Sequence, residues 1–331
     1  MLKTNRLRKL TPSAKFNTSV FHWVGKLIAL NIAITTALFS CVVSAQHTAE
    51  DSVGVHTLEA VPQRVAALNW DIAEQVIELG ITPIAMPDIA GYQEWVVQPA
   101  VDPSVEDIGT RVEPNFERLA ELNPDVIVIA SPQLDLKERL EQIAPVLYYH
   151  TYSDKHDNAQ ASIDNYRLLA ASLGISDFAD AKLTSMESRF TEMSLQLDSA
   201  YPDGKPKVSA FRFASTTAVY LYGDNSMTQY VLQRLGFEPA IEKPATQWGV
   251  TQLRINELKN VGDGVALYFK PFDQESQLNR SVLWKAMPFV RGGRINSVEP
   301  VWNYGGAMSL LYTAEAITES LLAIAPVEAK E

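Results

Sequence analysis

The 331-residue chain has a single cysteine, Cys41, near its N-terminus. Past that position, disulfide staples, thiolate metal sites and cysteine nucleophiles are excluded, so stability has to come from a packed core. Histidine is scarce as well: His22, His47, His56, His150 and His156 show neither an HExxH spacing nor a paired-ligand helix, and no metal site follows. GxSxG, phosphate-loop and GxGxxG patterns are absent, and Gly292-Gly293 reads as a turn before the strand-like Arg294-Ile295-Asn296. With no nucleophile or base motif, the chain is not read as an enzyme. Cations are in deficit: the net charge of −11 argues against a nucleic-acid partner and is read mainly as solubility.

Acidic residues are missing from the first 45 positions, which carry Lys3, Arg6, Arg8, Lys9, Lys15 and Lys26 followed by an uncharged run from Leu27 to Ala45. That is the layout of a secretory signal peptide, and the small residues Val43-Ser44-Ala45 place cleavage before Gln46. Asn31, Thr35, Thr36 and Ser40 weaken a membrane-anchor reading, and Phe39 sits badly for lipid attachment at Cys41. Cleavage takes the net charge from −11 to −17 and leaves 286 residues, enough for two modest domains at 47% hydrophobic composition.

From Arg64 onward short β-rich runs alternate with helical patterns, predicting α/β layers on largely parallel strands. Val65 to Leu68 reads as a strand, Asp71 to Leu79 as a helix stopped by Gly80, and Pro83 to Met86 as the next strand. A helix at Asn115–Leu122 leads into Val126 to Ala130, a continuous apolar run of the kind a buried parallel strand shows. The second half echoes the first. Val231 to Leu235, Gly236 and Pro239 repeat Val76 to Leu79, Gly80 and Pro83, while Ile255 to Val261 before Val265 to Phe269 repeats helix then strand. Between the halves, Asp157 to Leu173 has Ile163, Tyr166, Ala170 and Leu173 at helical spacing with Gly174 as a stop. No Gly/Ser/Pro linker is present. The predicted organisation is a signal peptide over 1–45, an α/β lobe over 46–156, a stiff joining helix over 157–174 and a second lobe over 175–331, with small rocking rather than wide hinge closure.

Aromatic residues gather near arginines at predicted loops after strands: Trp70, Tyr92 and Trp95, Trp248-Gly249, and Trp302-Asn303-Tyr304-Gly305-Gly306. Ligands of α/β sheets sit at the carboxyl ends of strands, so these are cleft candidates. Three segments are more specific: Ile108-Gly109-Thr110-Arg111-Val112-Glu113-Pro114-Asn115, Leu283-Trp284-Lys285-Ala286-Met287-Pro288-Phe289-Val290-Arg291, and Val301-Trp302-Asn303-Tyr304-Gly305. On these the chain resembles the periplasmic ferric hydroxamate-binding proteins that serve ABC importers, within the helical-backbone (class III) solute receptors. The resemblance is collinear from about Arg64 to Ala325.

The resemblance implies two Rossmann-like lobes joined by a long rigid helix, and a shallow aromatic cleft. The ligand's iron is already wrapped by a siderophore's own oxygens, so the protein needs no metal ligand and no intrinsic cofactor. By position, Arg111 corresponds to the arginine that bonds the chelating oxygens, and Trp95, Trp248, Trp302 and Tyr304 to the pocket lining, with Trp70 and Tyr220 as further candidates. The family's pocket tyrosine falls at Gln133, and Arg212 is an added cation. Two arginines facing the cleft imply a more anionic ligand, such as a mixed carboxylate-hydroxamate or carboxylate siderophore. Haem, held by Tyr304 or Tyr92, or a corrinoid is a weaker alternative. Glu117 corresponds to a permease-docking position. In the second lobe Glu257 lies one residue past the expected place, which holds Asn256. The expected partners are a ferric siderophore and an inner-membrane ABC permease, the expected state a periplasmic monomer.

Overall fold

Three helices end alike, and each ending was marked in the sequence by a glycine. The helices Trp70–Glu78, Asn158–Ser172 and Met227–Arg234 run into Gly80, Gly174 and Gly236, whose φ angles are +79°, +71° and +87°. In each the N–H three positions beyond the last helical residue reaches back five residues (Ile81 to Val76, 3.2 Å; Ile175 to Ala170, 2.9 Å; Phe237 to Leu232, 2.9 Å). This closure needs a left-handed residue, which glycine adopts without a Cβ penalty. The echo between the two halves is therefore a shared helix stop.

The computed structural model describes residues 46–326. The expected signal peptide, its cleavage site and Cys41 lie outside the described residues. Within them, β1 (His47–Asp51) and β2 (Gly54–Leu58) form an antiparallel hairpin. The chain continues through β3 (Val65–Ala67), α1 (Trp70–Glu78), β4 (Ala85–Met86), α2 (Ile89–Trp95), β5 (Glu106–Asp107), α3 (Phe116–Glu121), β6 (Val126–Ile129) and β7 (Val146–Tyr148). Helices α4 (Asn158–Ser172) and α5 (Ser176–Ala200) follow, then β8 (Val208–Phe213), β9 (Ala218–Tyr222), α6 (Met227–Arg234), β10 (Val250–Arg254), β11 (Val265–Phe269), β12 (Ile295–Val298) and α7 (Ala307–Leu322).

The first sheet has the order β5-β4-β3-β6-β7 and is parallel throughout, with Ala66 level with both Ala85 and Ile127. Every side chain of β6 is buried, as its unbroken apolar run predicts for a strand inside such a sheet. The second sheet has the order β10-β9-β8-β11-β12; the two sheets are largely parallel, as expected, except at one edge of the second, where β9 runs antiparallel to β8 and β10 antiparallel to β9. The cause is chain length. Only residues 214–217 join β8 to β9, closed by Ala214 and Ser215 N–H bonds to the Ala218 carbonyl, and so short a link cannot carry a crossover.

The joining helix expected over 157–174 is present as α4, and the 25-residue α5 follows it. Both pack into one continuous apolar core that includes β3, β6, β8 and β11 side chains together with α7. Helix α7 touches α5, α6 and α4 and also α1, next to the first sheet. An apolar core shared in this way resists wide opening, because separating its halves exposes apolar area at roughly 25 cal/mol per Å². Among the described residues no helix is long and apolar enough to cross a membrane.

Candidate binding cleft

Arg111 owes its position to its immediate neighbours. Gly109, at φ +94°, turns the chain sharply after β5 and donates its N–H to Asp107 Oδ1 (2.9 Å). Thr110 Oγ1 accepts the Glu113 N–H (3.0 Å), and Asn115 Oδ1 caps α3 through the Arg118 N–H (2.9 Å). The four-residue loop so pinned lays the Arg111 guanidinium over the Trp70 ring, 3.7 Å from its centroid. Trp70 is itself held by its indole N–H, which donates to the Pro87 and Asp88 carbonyls (3.3 and 3.2 Å).

The opposite wall comes from the second sheet. Arg212 and Tyr220 are direct cross-strand partners on β8 and β9, so their side chains share a face and the guanidinium lies 4.4 Å from the phenol ring. In the segment after β12, Asn303 points inward, accepting the Tyr222 hydroxyl (2.8 Å) and donating to Thr228 Oγ1 (3.2 Å). Trp302 and Tyr304, on either side of it, line the cleft. Gly249, at φ +67°, packs where a Cβ would lie 2.6 Å from Ser226 Cα, and this tight turn leaves Trp248 43% exposed.

These side chains enclose two adjoining cavities of about 380 and 340 Å³. Both are bounded by Trp70, Arg111, Arg212, Trp302 and Tyr304. The first adds Trp248, Tyr220 and Tyr152, the second Trp95. The aromatic rings form a chain: Trp70 meets Trp302 edge-on at 5.4 Å, Trp302 meets Tyr304 at 5.6 Å, and Tyr152 stacks on Trp248 at 5.5 Å. Neither Arg111 nor Arg212 has a carboxylate within ion-pair distance among the described residues. Burial draws the Arg111 pKa down from its ordinary value, opposed by the fields of Asp88 and Asp71. Burial pushes Asp71 up to about 6, against the Ile72 N–H and the Asn69 amide that bond it. Among the described residues no cluster of three or more His, Cys, Asp or Glu could hold a metal ion.

Behind the aromatic wall lies a feature the sequence does not announce. Glu74, on α1 and fully buried, accepts the Gly306 N–H (3.2 Å), the Ser309 N–H (2.9 Å) and the Ser309 hydroxyl (2.7 Å). It caps the N-terminus of α7, whose own N-cap, Gly306, has no side chain to do so. A Cβ on Gly305 would lie 2.2 Å from Glu74 Oε2, and one on Gly306 2.1 Å from Gln75 Cγ, so this approach demands glycine at both places. Tyr152 donates its hydroxyl to the Gly305 carbonyl (2.8 Å). Burial pushes Glu74 up to about 8, against the pull of its hydrogen-bond donors.

Seven of the expected ligand-facing residues, Arg111, Trp70, Trp95, Trp248, Trp302, Tyr304 and Tyr220, therefore line the two cavities, as does Arg212. Gln133 does not. It is 0% exposed; its Nε2 donates to the Arg111 carbonyl (2.9 Å) and its Oε1 accepts the Ala130 N–H (3.3 Å), so it braces the Arg111 loop instead of facing the cavity. Tyr92 is likewise fully buried in the core and lines neither cavity, which removes it as a haem ligand. Glu257 spends its carboxylate on the Arg254 N–H (2.9 Å) at the start of a 3-10 turn, leaving Asn256 more exposed than Glu257. Glu117 is exposed on α3. Tyr152, Asp71 and Thr151 were missed on the cavity wall. Tyr152, an aromatic residue soon after a strand, carried the same signal that singled out Trp70.

The periplasmic binding protein family profile matches residues 65–300. A solved structure of a siderophore-binding protein, FhuD from Vibrio cholerae with Fe3+-Desferal bound, is 52% identical, spans 80% of this chain and 99% of its own, and superposes with a TM-score of 0.78. The iron(3+)-hydroxamate-binding protein FhuD of Escherichia coli K12 is 28% identical over 268 residues, 80% of this chain and 89% of its own. The Fe(3+) dicitrate-binding periplasmic protein FecB of the same organism is 25% identical over 286 residues, 84% of this chain and 89% of its own. With two α/β sheets meeting at an aromatic cleft and a profile match across most of its length, the chain belongs to the periplasmic binding protein family.

Proposed function

We propose that this protein captures a ferric hydroxamate siderophore in the first cavity and carries it through the periplasm to an inner-membrane ABC permease. The observation that carries this reading is Arg111: a guanidinium fork stacked on Trp70, facing an aromatic cavity, with no carboxylate of its own to satisfy it. Hydroxamate oxygens around Fe(III) carry shared negative charge and suit such a fork, while the rings suit the ligand's aliphatic linkers. The iron is cargo, coordinated by the siderophore. Lobes over 46–156 and 175–331 close little on loading, because the core they share is packed before the ligand arrives.

Titration against ferric hydroxamate, mixed carboxylate, catecholate and haem ligands is expected to quench tryptophan emission with the ferric trihydroxamates, since Trp95 and Trp248 are 44% and 43% exposed at the cavities. No quenching by any ferric siderophore overturns the proposal. Docking on the permease is assigned to Glu117. Glu117→Ala is expected to keep siderophore affinity and to lower stimulation of the permease ATPase severalfold; unchanged stimulation removes Glu117 from the docking face.

A further inference from the structure

The second cavity, of about 340 Å³, is large enough to hold part of a ligand, and of the residues that line it alone only Trp95 has a place in the proposed mode of binding. It shares Trp70, Arg111, Arg212, Trp302 and Tyr304 with the first, so a molecule seated in the first can extend into it. Beyond the shared wall its surface is mostly apolar: Trp95, Phe213, Phe269, Pro271, Pro300 and Val301. Trp95, at 44% exposure, leaves a large ring facing solvent, which costs free energy that a ligand would recover.

Charge narrows the occupant. Besides the shared arginines the lining includes Lys270, whose Nζ is bonded to Glu299 Oε1 at 2.8 Å. Lys270 is thus ion-paired and Arg111 is taken by the chelating oxygens, whereas Arg212 has no carboxylate within ion-pair distance among the described residues. The Nε of Arg212 is buried without a hydrogen-bond partner, so this guanidinium is not fully satisfied by the protein.

We propose that the second cavity is a subsite for the pendant arm of the siderophore, and that it selects an aliphatic arm ending in a carboxylate over one ending in an ammonium. This rests on the proposed function. Methylenes of the arm lie against the apolar wall, and its terminal carboxylate compensates the Arg212 guanidinium, which the bound chelate leaves without an anion. An ammonium in the same place adds a third cation to a half-buried site.

Four ferric trihydroxamates built from one repeating unit separate the contributions: cyclic desferrioxamine E, without an arm; desferrioxamine B, with an ammonium arm; its N-acetyl derivative; and its N-succinyl derivative, with a carboxylate arm. By isothermal titration calorimetry the succinyl complex is expected to bind about 10-fold more tightly than the ammonium complex, with the acetyl complex between them. Val301→Trp, which fills the cavity, should shrink that spread to within about twofold while leaving the cyclic complex bound as before. Val301→Asp keeps the cavity open and should reverse the preference between succinyl and ammonium arms. Equal affinities for the succinyl and ammonium complexes, or a spread that both variants leave intact, overturn the subsite. Failure of all four complexes to bind overturns the proposed function instead, so the two failures are distinguishable.

Discussion

Replacing Arg111 by alanine is expected to raise the Kd for a ferric trihydroxamate by roughly 10- to 100-fold, the loss of about 1.5–3 kcal/mol carried by a charge-assisted hydrogen bond in a partly desolvated site. The fold should survive this change. The Arg111 backbone carbonyl stays bonded to Gln133, and the loop is tied independently by Asp107, Thr110 and Asn115. The main structural loss is the stacking on Trp70, about 0.5–1 kcal/mol. Arg111→Lys keeps the charge but loses both the planar fork and the stacking, and should fall between wild type and alanine. Calorimetric titration alongside thermal melts separates the two effects. A Kd within twofold of wild type for Arg111→Ala would take the residue out of the site.

Glu74→Ala is expected to have the largest effect on stability, about 3 kcal/mol or more, because it strands two backbone N–H groups and a hydroxyl in a buried place. Glu74→Gln retains an acceptor and should cost less. The pH dependence follows from the same residue. Burial raises Glu74 from its ordinary 4.5 to about 8, so the folded state holds that proton more tightly than the unfolded chain does. The resulting stability is fully present below about pH 4.5 and is lost as pH rises through about 8. Asp71, raised from 3.8 to about 6, adds a loss of the same sign between those values. The melting temperature of the wild type should therefore fall from pH 5 to pH 9, and the Glu74→Gln profile should be flatter above pH 6. Superimposable profiles for the two proteins would refute the assignment.

Glu74 also shows why part of the cleft was invisible in the sequence. Its partners lie 232 and 235 residues away, and a single glutamate on an amphipathic helix reads as a solvated face. Gln133 shows the converse: aligned with a pocket tyrosine it suggested a donor to ligand, yet both ends of its amide are consumed by Ala130 and Arg111. Glu257 was one residue out of register for docking and is in fact a cap. In each case the side chain's chemistry was readable, while its direction depended on which distant backbone came to meet it.

What the sequence determined by itself is what short-range physics controls. The glycine stops after α1, α4 and α6 are set within six residues by backbone sterics, the unbroken apolar run at β6 by burial on both faces, and the loop that presents Arg111 by Gly109, Thr110 and Asn115. What only the tertiary structure decided involves groups far apart in the chain: the second cavity between the lobes and the cap that Glu74 places on α7. A buried polar group is tolerated only where a partner reaches it, and which partner does is a property of packing.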